Sequence, residues 1–479
     1  MQSKKRLLIV ALSILLLQAC TKNITDVNQE TKKPTTAPPG ALFANAVRFL
    51  SEGLTNASVN VNVFRFTVKH WAMTTYQDEA RYNFTTRSIP QAWWSRMYKD
   101  VLADMADAGK TVKADPNIDP AVKVNELAIL DIMQVYTWSI LVNTFGNVPY
   151  SQALDFTITR PKYDDAKGIY ADLMKRLNDD ISKLSTASGA GFTSSEDLLC
   201  GGSVAKWIKF ANSFRIRLSI TLADTDDATA KTAVEASDAA AMASASDNAQ
   251  FNYLGASPNT NPLYTDIVLG GRGDYVAAKD LMDPLISMSD PRIPGFFAKN
   301  NAGNYVGGIV GANNTLAATS TPSAQVTAPT APCVFLDYVE TEFYRAEAIE
   351  RGYNVAGTAA QHYNNAITAS ILFWGGSATD AATYLARTDV AYASATGNWR
   401  QKIGFQKWIA LYNRPYEGWT ELRRLDYPQL PLPVAATSGF PNRFQYPGVE
   451  SQVNDDNMKA AANAIGGDKV ETKLFWDIY

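Results

Sequence analysis

A segment between residues 70 and 94 concentrates aromatic side chains together with planar polar ones. Flat apolar faces stack on the rings of sugars or other organic groups, and amide, carboxylate and guanidinium groups orient such rings by hydrogen bonds. The candidate ligand-binding residues in this segment are Trp71, Tyr76, Gln77, Asp78, Arg81, Tyr82, Trp93 and Trp94. Packing inside a core is the alternative role for the same side chains.

A second candidate site lies in a segment that we predict to be a long loop. Residues 255–273 and 301–332 are rich in Gly, Asn, Ser, Thr, Ala and Pro and carry few periodic apolar positions. Long loops on a rigid scaffold are common places for binding. The candidates at the first of these loops are Tyr264, Arg272, Asp274 and Tyr275.

The sequence offers no motif for catalysis, for a metal or for a cofactor. Its two histidines, His70 and His362, lack a recognisable nucleophile or acid partner, so we expect His70 to be structural and His362 to lie at the surface. No cysteine pair has metal-ligand spacing. We therefore expect no catalytic residue, no metal site and no cofactor. A pair of glycosidase carboxylates stays open, because such carboxylates meet only in the folded chain.

The first twenty residues have the pattern of an export signal that ends in a lipid-attachment cysteine. A basic stretch at residues 4–6 precedes an apolar run at residues 7–17, which is too short to span a bilayer as a helix. Leu17-Gln-Ala-Cys20 resembles the lipobox that lipoprotein signal peptidase cuts. We predict a signal peptide at residues 1–19 and fatty acyl chains, such as palmitate, on Cys20, which would anchor the protein to a membrane.

Behind this cysteine, the chain divides into a tether and one large domain. Residues 20–40 are polar and rich in Pro and Thr, a composition typical of a flexible tether. Residues 41–479 contain no second linker of that kind and are expected to form a single domain. The 44 basic and 47 acidic residues nearly balance, which argues against nucleic acid as a partner. Cys200 and Cys333 are predicted either to pair in a disulfide or to remain two buried thiols.

Helical periodicity dominates the predicted domain, and the fold class is expected to be mainly α. Residues 203–224 carry Trp207, Phe210 and Phe214 on one stripe, and residues 122–145 and 163–184 form further helical stretches. A helical hairpin follows near residue 340, with Ala359, Tyr363 and Ala366 at the small-large-small spacing of a tetratricopeptide helix. These patterns predict a tetratricopeptide-like helical scaffold with long loop-rich insertions.

Four arginines near the helical stripes are expected to hold structural positions. Arg215 and Arg217 fall off the apolar stripe, and we predict that both guanidinium groups pair with carboxylates. For Arg423 and Arg424, which follow Trp419, an ion pair is favoured over a cation-π contact.

Several short phrases, in this order along the chain, carry a family resemblance. They are Phe145-Gly-Asn-Val-Pro-Tyr-Ser-Gln-Ala153, Trp207-Ile-Lys-Phe-Ala-Asn-Ser-Phe-Arg-Ile-Arg-Leu218, Asp290-Pro-Arg292, Tyr344-Arg-Ala-Glu-Ala-Ile-Glu-Arg-Gly352, Tyr363-Asn-Asn-Ala-Ile367, Gln406-Lys-Trp-Ile-Ala-Leu411, Gly418-Trp-Thr-Glu-Leu-Arg-Arg424 and Pro441-Asn-Arg-Phe-Gln-Tyr-Pro447. Together they resemble the SusD/RagB-like outer-membrane lipoproteins, and within them the second SusD-like subfamily.

The resemblance implies a non-catalytic, lipid-anchored protein on the outside of the outer membrane. It also implies a SusC-like TonB-dependent barrel as partner, to which the lipoprotein delivers a captured nutrient, often an oligosaccharide. Two other functions stay open on the residues themselves. One is a lipid-anchored glycan hydrolase, and the other is a ligand-free scaffold subunit of the transporter.

Overall fold

Amphipathic segments of this chain fold into helices that pack on one another around a shared apolar core. The computed structural model describes residues 37–479 except 59, 61 and 188. Pro39–Tyr479 forms one compact unit. The predicted signal peptide, the predicted lipid-attachment site at Cys20 and the tether as far as residue 36 lie outside the described residues.

Seventeen α-helices occur in the described part of the chain. They are α1 Pro39–Thr55, α2 Phe64–Thr67, α3 Ile89–Ser95, α4 Ala103–Ala114, α5 Pro120–Phe145, α6 Ala166–Lys183, α7 Val204–Leu222, α8 Asp227–Ser237, α9 Lys279–Ser287, α10 Ile293–Phe296, α11 Tyr338–Glu350, α12 Ala359–Phe373, α13 Ala378–Leu385, α14 Trp399–Ala410, α15 Pro415–Leu425, α16 Glu450–Val453 and α17 Asp455–Ala464. A π-helical stretch, Arg96–Leu102, joins α3 to α4 without a break.

Consecutive helices pack in pairs, as the sequence predicts for a tetratricopeptide-like scaffold. Helix α5 contacts α6, α7 contacts α8, α11 contacts α12, and α14 contacts α15. Contacts of α6 with α7, and of α11 with both α7 and α14, join the pairs into one scaffold. The mainly α fold class is confirmed.

The strands of the described chain are short and form three antiparallel two-stranded ribbons. The pairs are β1 Trp71–Met73 with β5 Tyr275–Ala277, β2 Val148–Pro149 with β3 Tyr163–Asp164, and β4 Ala249–Phe251 with β6 Cys333–Leu336. The first and third ribbons connect distant parts of the sequence, so they tie the long loops to the helical scaffold.

The apolar stripe of α7 faces the core, as its spacing predicts. Trp207, Phe210 and Phe214 are fully buried, and the Phe210 and Phe214 rings stack with centroids 5.9 Å apart. The Ser203 side chain accepts a hydrogen bond from the Lys206 backbone N–H and caps the first turn. Burial of these three rings fixes the helix against its neighbours.

A buried ion network joins α15 to α11 and α14. The Arg424 guanidinium donates to Glu347 at 2.5 Å and to Glu421 at 2.6 Å, and the Lys407 ammonium lies 2.9 Å from Glu421. Burial alone would raise the pKa of Glu421, but Arg424 and Lys407 outweigh it and lower this pKa to about 2. The sequence motif at residues 418–424, one of those that carry the family resemblance, therefore has a structural role.

The expectation of an ion pair is confirmed for Arg424 but is wrong for Arg423. The Arg423 guanidinium carbon lies 3.5 Å from the centroid of the Trp419 ring, and its nitrogens donate to the carbonyl oxygens of Asn143 and Asn442. Among the described residues, no carboxylate oxygen comes within 4 Å of it. The flat guanidinium satisfies its donors on backbone carbonyls, so the cation-π contact replaces the ion pair.

The two arginines of α7 also differ from one another. Arg217 donates to Glu340 at 2.8 Å, which confirms the predicted carboxylate partner. Arg215 donates to Ser237 at 2.5 Å and to Asn178 at 2.9 Å, so the prediction of a carboxylate is wrong there. Neutral oxygens on the adjacent helices satisfy its donors instead.

Both histidines are structural, although the sequence predicts this only for His70. The buried His70 ring lies 3.1 Å from the Trp408 carbonyl oxygen through Nε2, and burial lowers its pKa to about 3. The predicted surface position of His362 is wrong, because its side chain is buried and its Nδ1 lies 2.9 Å from a Glu342 oxygen. A carboxylate on the facing helix α11 draws this ring inward.

The structure also decides the state of the two cysteines and the role of the most apolar helix. Cys200 and Cys333 are both free thiols and both buried, so they form no disulfide. Helix α5 is long and apolar enough to cross a membrane by length and composition, but 83% of its most apolar window is buried inside the fold. It is the central core helix.

Candidate functional site

Four segments of irregular chain meet at one surface, which we call the loop surface. They are residues 74–87 after β1, 270–275 before β5, 305–318 within the predicted long loop, and 431–437 after α15. The β1–β5 ribbon brings the first two together by pairing Met73 with Tyr275. The start of the first candidate cluster, at Trp71, therefore lies beside Tyr275 of the second.

Arg81 joins three of these segments. Its Nε donates to the Gly311 carbonyl at 2.8 Å, and its own carbonyl accepts from the Thr437 N–H at 2.8 Å. The Val434 N–H donates to the Val310 carbonyl at 3.0 Å beside this junction. A surface made of loops is held in a defined shape by such side-chain to backbone bonds.

Asn314 connects the 305–318 segment to the end of strand β1. Its Nδ2 donates to the Met73 carbonyl at 2.7 Å, and its Oδ1 accepts from the Ile309 N–H at 2.8 Å. The Thr74 N–H also donates to the Asp274 carbonyl at 2.9 Å. Hydrogen bonds thus tie the loop segments to one another, and a surface held in this way loses little conformational entropy when it binds.

Tyr76 presents the exposed aromatic face of the loop surface. Its side chain is 62% exposed, and its backbone lies in the left-handed region with φ of 58°. The Arg87 guanidinium carbon lies 5.9 Å from the ring centroid, and Arg87 Nε forms an ion pair with the buried Glu79 at 2.6 Å. Burial raises the pKa of Glu79. Arg87 supports the ring, and most of the ring surface remains open to solvent.

A cleft of mixed lining opens between the 305–318 and 431–437 segments and helix α9. Its volume is about 410 Å³, within the usual range for ligand sites. Its apolar lining comes from Pro284, Ile309, Val310, Pro431, Leu432 and Val434, and its charged lining from Lys69, Lys279, Asp280 and Asp283. Ile309, Leu432 and Val434 are each half exposed, which is unusual for large aliphatic side chains.

The predicted aromatic residues divide by burial. Trp71, Tyr82, Trp93 and Trp94 are buried, and Trp71 donates from Nε1 to the Tyr412 hydroxyl at 3.0 Å. Gln77 is also buried, with its Nε2 donating to the Met73 carbonyl at 3.0 Å. Trp71, Gln77, Tyr82 and Trp93 therefore present no face for a ligand to stack on, whereas Trp94 lines a separate cleft of about 490 Å³ together with Tyr98 and Phe156. Among the first candidates, Tyr76, Asp78 and Arg81 remain at the surface.

The second predicted cluster supports the same surface from one side. Tyr275 is buried and its hydroxyl donates to the Ala57 carbonyl at 2.5 Å. Arg272 lies 4.7 Å from the Tyr275 ring centroid and donates to Asp274 at 2.6 Å, and this hydrogen bond raises the pKa of Arg272. Tyr264 begins a π-helical turn and is half buried. Arg272 and Tyr264 are only partly buried, so part of each side chain is open to solvent.

Sequence reasoning missed several residues of the loop surface. Arg87 and Asn314 organise it, and Leu316, Leu432 and Val434 supply exposed apolar area. The only sequence signal for Asn314 and Leu316 is the composition of the predicted loop at 301–332. The Pro-rich stretch around Leu432 is a similar signal.

Among the described residues, no group of three or more His, Cys, Asp or Glu side chains is arranged to hold a metal ion. The candidate site is thus a loop surface carried on a helical-repeat scaffold.

The chain belongs to the second SusD-like family, described as starch-binding and associating with the outer membrane, whose model matches residues 30–447. No curated protein matches the sequence significantly.

Solved structures share the fold along almost the whole chain. A chitin-binding SusD homologue from Flavobacterium johnsoniae has 23% identity and a TM-score of 0.77, covering 92% of this chain and 98% of its own. A SusD homologue from Bacteroides uniformis has 25% identity and a TM-score of 0.74, covering 91% and 99%. A SusD-like protein from Bacteroides thetaiotaomicron has 20% identity and a TM-score of 0.78, covering 92% and 99%. The helical scaffold is that of the SusD-like proteins.

Proposed function

We propose that this protein captures a glycan on its loop surface and delivers it to a SusC-like TonB-dependent barrel in the outer membrane. Acyl chains on Cys20 would hold it to that membrane, facing the exterior. The observation that carries the proposal is the exposed Tyr76 ring on the loop surface, with the Arg87 guanidinium carbon 5.9 Å from its centroid. Pyranose rings present apolar C–H faces that stack on such a ring, while their hydroxyls need planar partners such as Asp78 and Arg81.

The family supports this proposal in two respects. Its description names starch binding and association with the outer membrane. The homologue from Flavobacterium johnsoniae is described as chitin-binding. Binding without chemistry is the simplest activity consistent with both, so we propose that the protein is not an enzyme.

Binding to a panel of starch-derived and chitin-derived oligosaccharides, measured by calorimetry, tests the capture step. We expect Tyr76→Ala to weaken binding about fivefold, since a stacked aromatic ring contributes on the order of 1 kcal/mol. Tyr76→Phe keeps the stacking face and should keep the affinity. Tyr479→Ala is the matched control, because Tyr479 is a 50% exposed tyrosine outside the four loop segments, and its ring also lies near an arginine, Arg400.

Two results would contradict the capture step. Unchanged affinity in Tyr76→Ala would remove the loop surface from the site. Release of new reducing ends from the panel would instead support a lipid-anchored glycan hydrolase, and loss of that release in carboxylate variants would identify its acids.

Purification of the tagged lipoprotein from outer membranes, followed by mass spectrometry, tests the delivery step. A TonB-dependent barrel recovered in near-equal amount would support it. Recovery of the lipoprotein alone in mild detergent would contradict it. A barrel recovered with a lipoprotein that binds no glycan of the panel would favour the scaffold function.

A further inference from the structure

A second cleft, of about 540 Å³, lies between helix α1 and two loops. The loops are residues 194–201, which precede α7, and residues 252–260, which follow β4. Its volume falls within the range of small-ligand sites. It shares no lining residue with the 410 Å³ cleft or with the four segments of the loop surface. It is therefore a separate cavity with its own chemistry.

The apolar part of this second cleft is formed by aromatic and aliphatic side chains. The Phe251 and Tyr253 rings meet edge to face with centroids 4.8 Å apart, and both are largely buried. Leu199 is buried beside them, while Leu254 at the rim is 58% exposed. A ligand with one apolar ring face would replace water on these groups at a gain proportional to the area covered.

Asp197 shapes one wall of the second cleft but does not offer its charge to it. Its carboxylate accepts from the backbone N–H groups of Cys200 and Gly202, both at 2.9 Å, and from the Trp207 indole at 2.8 Å. The side chain is buried, with 1% of the residue exposed. This carboxylate is satisfied within its own loop, so it holds the wall in place and leaves the cleft free of its negative charge.

The other charged side chains that line the cleft differ in whether they have an ion-pair partner. Arg48 forms an ion pair with Glu52 at 2.5 Å, and Glu52 also lies 3.5 Å from Arg96. Lys206 also lines the cleft and is exposed, and within the described residues its ammonium has no carboxylate oxygen within 4 Å. The cleft thus combines an apolar floor with one cation available to a ligand.

We propose that this second cleft binds a small ring-shaped ligand that bears a carboxylate, such as an acidic sugar unit. The carboxylate pairs with Lys206, and the apolar face of the ring lies against Phe251, Tyr253 and Leu199. Hydroxyl groups of the ligand face the Asn252 and Asn259 side chains at the exposed rim. The site is independent of the loop surface and of the capture of a neutral glycan there.

Methyl glucuronide and methyl glucoside form a matched pair of probes, because they differ only in the carboxylate. We expect the glucuronide to bind the unmodified protein more tightly in ligand-observed NMR titrations. Lys206→Gln should weaken the glucuronide about fivefold and leave the glucoside unchanged, as expected for one exposed ion pair. Lys167→Gln removes an exposed lysine far along the chain on α6 and should change neither.

Two further variants locate the binding. Tyr76→Ala should leave glucuronide binding intact, which separates this cleft from the proposed glycan site. Ser194→Cys places a reactive thiol at the rim of the cleft, where Ser194 is exposed. Saturating glucuronide should slow maleimide labelling of that thiol. Ser451→Cys, at an exposed position on α16, is the control and should be labelled at the same rate with and without the glucuronide.

The proposal is overturned by any of three results. The first is equal binding of both probes, or no binding of the glucuronide. The second is glucuronide affinity that is unchanged in Lys206→Gln or lost in Tyr76→Ala. The third is an unchanged labelling rate at Ser194→Cys when the glucuronide is saturating.

Discussion

Charged residues in this protein differ in role according to whether water reaches them. Arg424 is buried between Glu347 and Glu421, whereas Arg387 meets Asp389 at the surface with 33% of its side chain exposed. Removing one partner of a buried pair leaves an uncompensated charge in a poorly solvated place. Removing one partner of an exposed pair leaves a charge that water solvates.

Arg424→Met should therefore lower the free energy of unfolding by about 3–5 kcal/mol. Arg387→Met is the control and should lower it by less than about 1 kcal/mol. Urea unfolding followed by circular dichroism measures both. Similar losses in the two variants would show that the buried network contributes no more than a surface pair.

Glu126 gives the protein a stability that depends on pH. It lies on α5, one of its oxygens is buried without a hydrogen-bond partner among the described residues, and burial raises its pKa to about 7 from an ordinary value of 4.5. The folded state therefore favours the protonated form. The contribution of Glu126 to the free energy of unfolding is fully present below pH 4.5 and is lost as the pH rises through 7.

The Glu126→Gln variant should remove that dependence, because the amide does not ionise. Relative to it, the unmodified protein should lose stability between about pH 5 and pH 8 in thermal or urea unfolding. A constant difference between the two proteins across this window would contradict the raised pKa.

Two aromatic residues that look alike in the sequence differ sharply in burial. Trp71 and Tyr76 lie in the same aromatic-rich segment, yet one is 1% exposed and the other 62%. Trp71 is buried because Tyr412 and Tyr275 cover it, and both come from distant parts of the chain. Only the folded chain distinguishes a stacking ring from a packing ring here.

At the scale of elements, the ends of helices are easier to predict than the loops between them. Helix α5 ends at Phe145 because Gly146 adopts φ of 85° and ψ of −121°, a conformation open to glycine and costly for other residues. The Gly-then-Pro pattern after this helix is a local signal, so the sequence alone is enough to predict it. The loop surface, by contrast, depends on bonds such as Arg81 to Gly311, which are 230 residues apart.

Gly146→Ala should destabilise the protein by about 1–3 kcal/mol, the usual cost of forcing a side chain into such a backbone conformation. The new Cβ would also lie 3.1 Å from Leu474 Cδ2. Gly109→Ala is the control, because this glycine lies inside α4 and a Cβ added to it would meet no atom within 4 Å.

The control should stabilise the protein by about 0.5–1 kcal/mol, since alanine favours helix more than glycine does. Thermal unfolding of both variants compares the two glycines directly. Equal shifts in the midpoint would show that the backbone conformation at the end of α5 is not under constraint.

At the scale of the whole molecule, the compact unit Pro39–Tyr479 carries both proposed binding regions. The loop surface and the 540 Å³ cleft share no residues, and each is built on loops held by the helical scaffold. Such an arrangement allows one ligand site to be changed without loss of the other. The predicted lipid anchor belongs to a different part of the chain.

The Cys20→Ala variant should therefore separate attachment from folding and binding. If acyl chains on Cys20 hold the protein, this variant should leave the membrane fraction and carry no labelled palmitate, because its remaining contacts with lipid are weak. Its thermal midpoint and its affinity for the glycan panel should equal those of the detergent-solubilised parent. A variant that stays with the membrane after a high-salt wash would show that the cysteine is not the anchor.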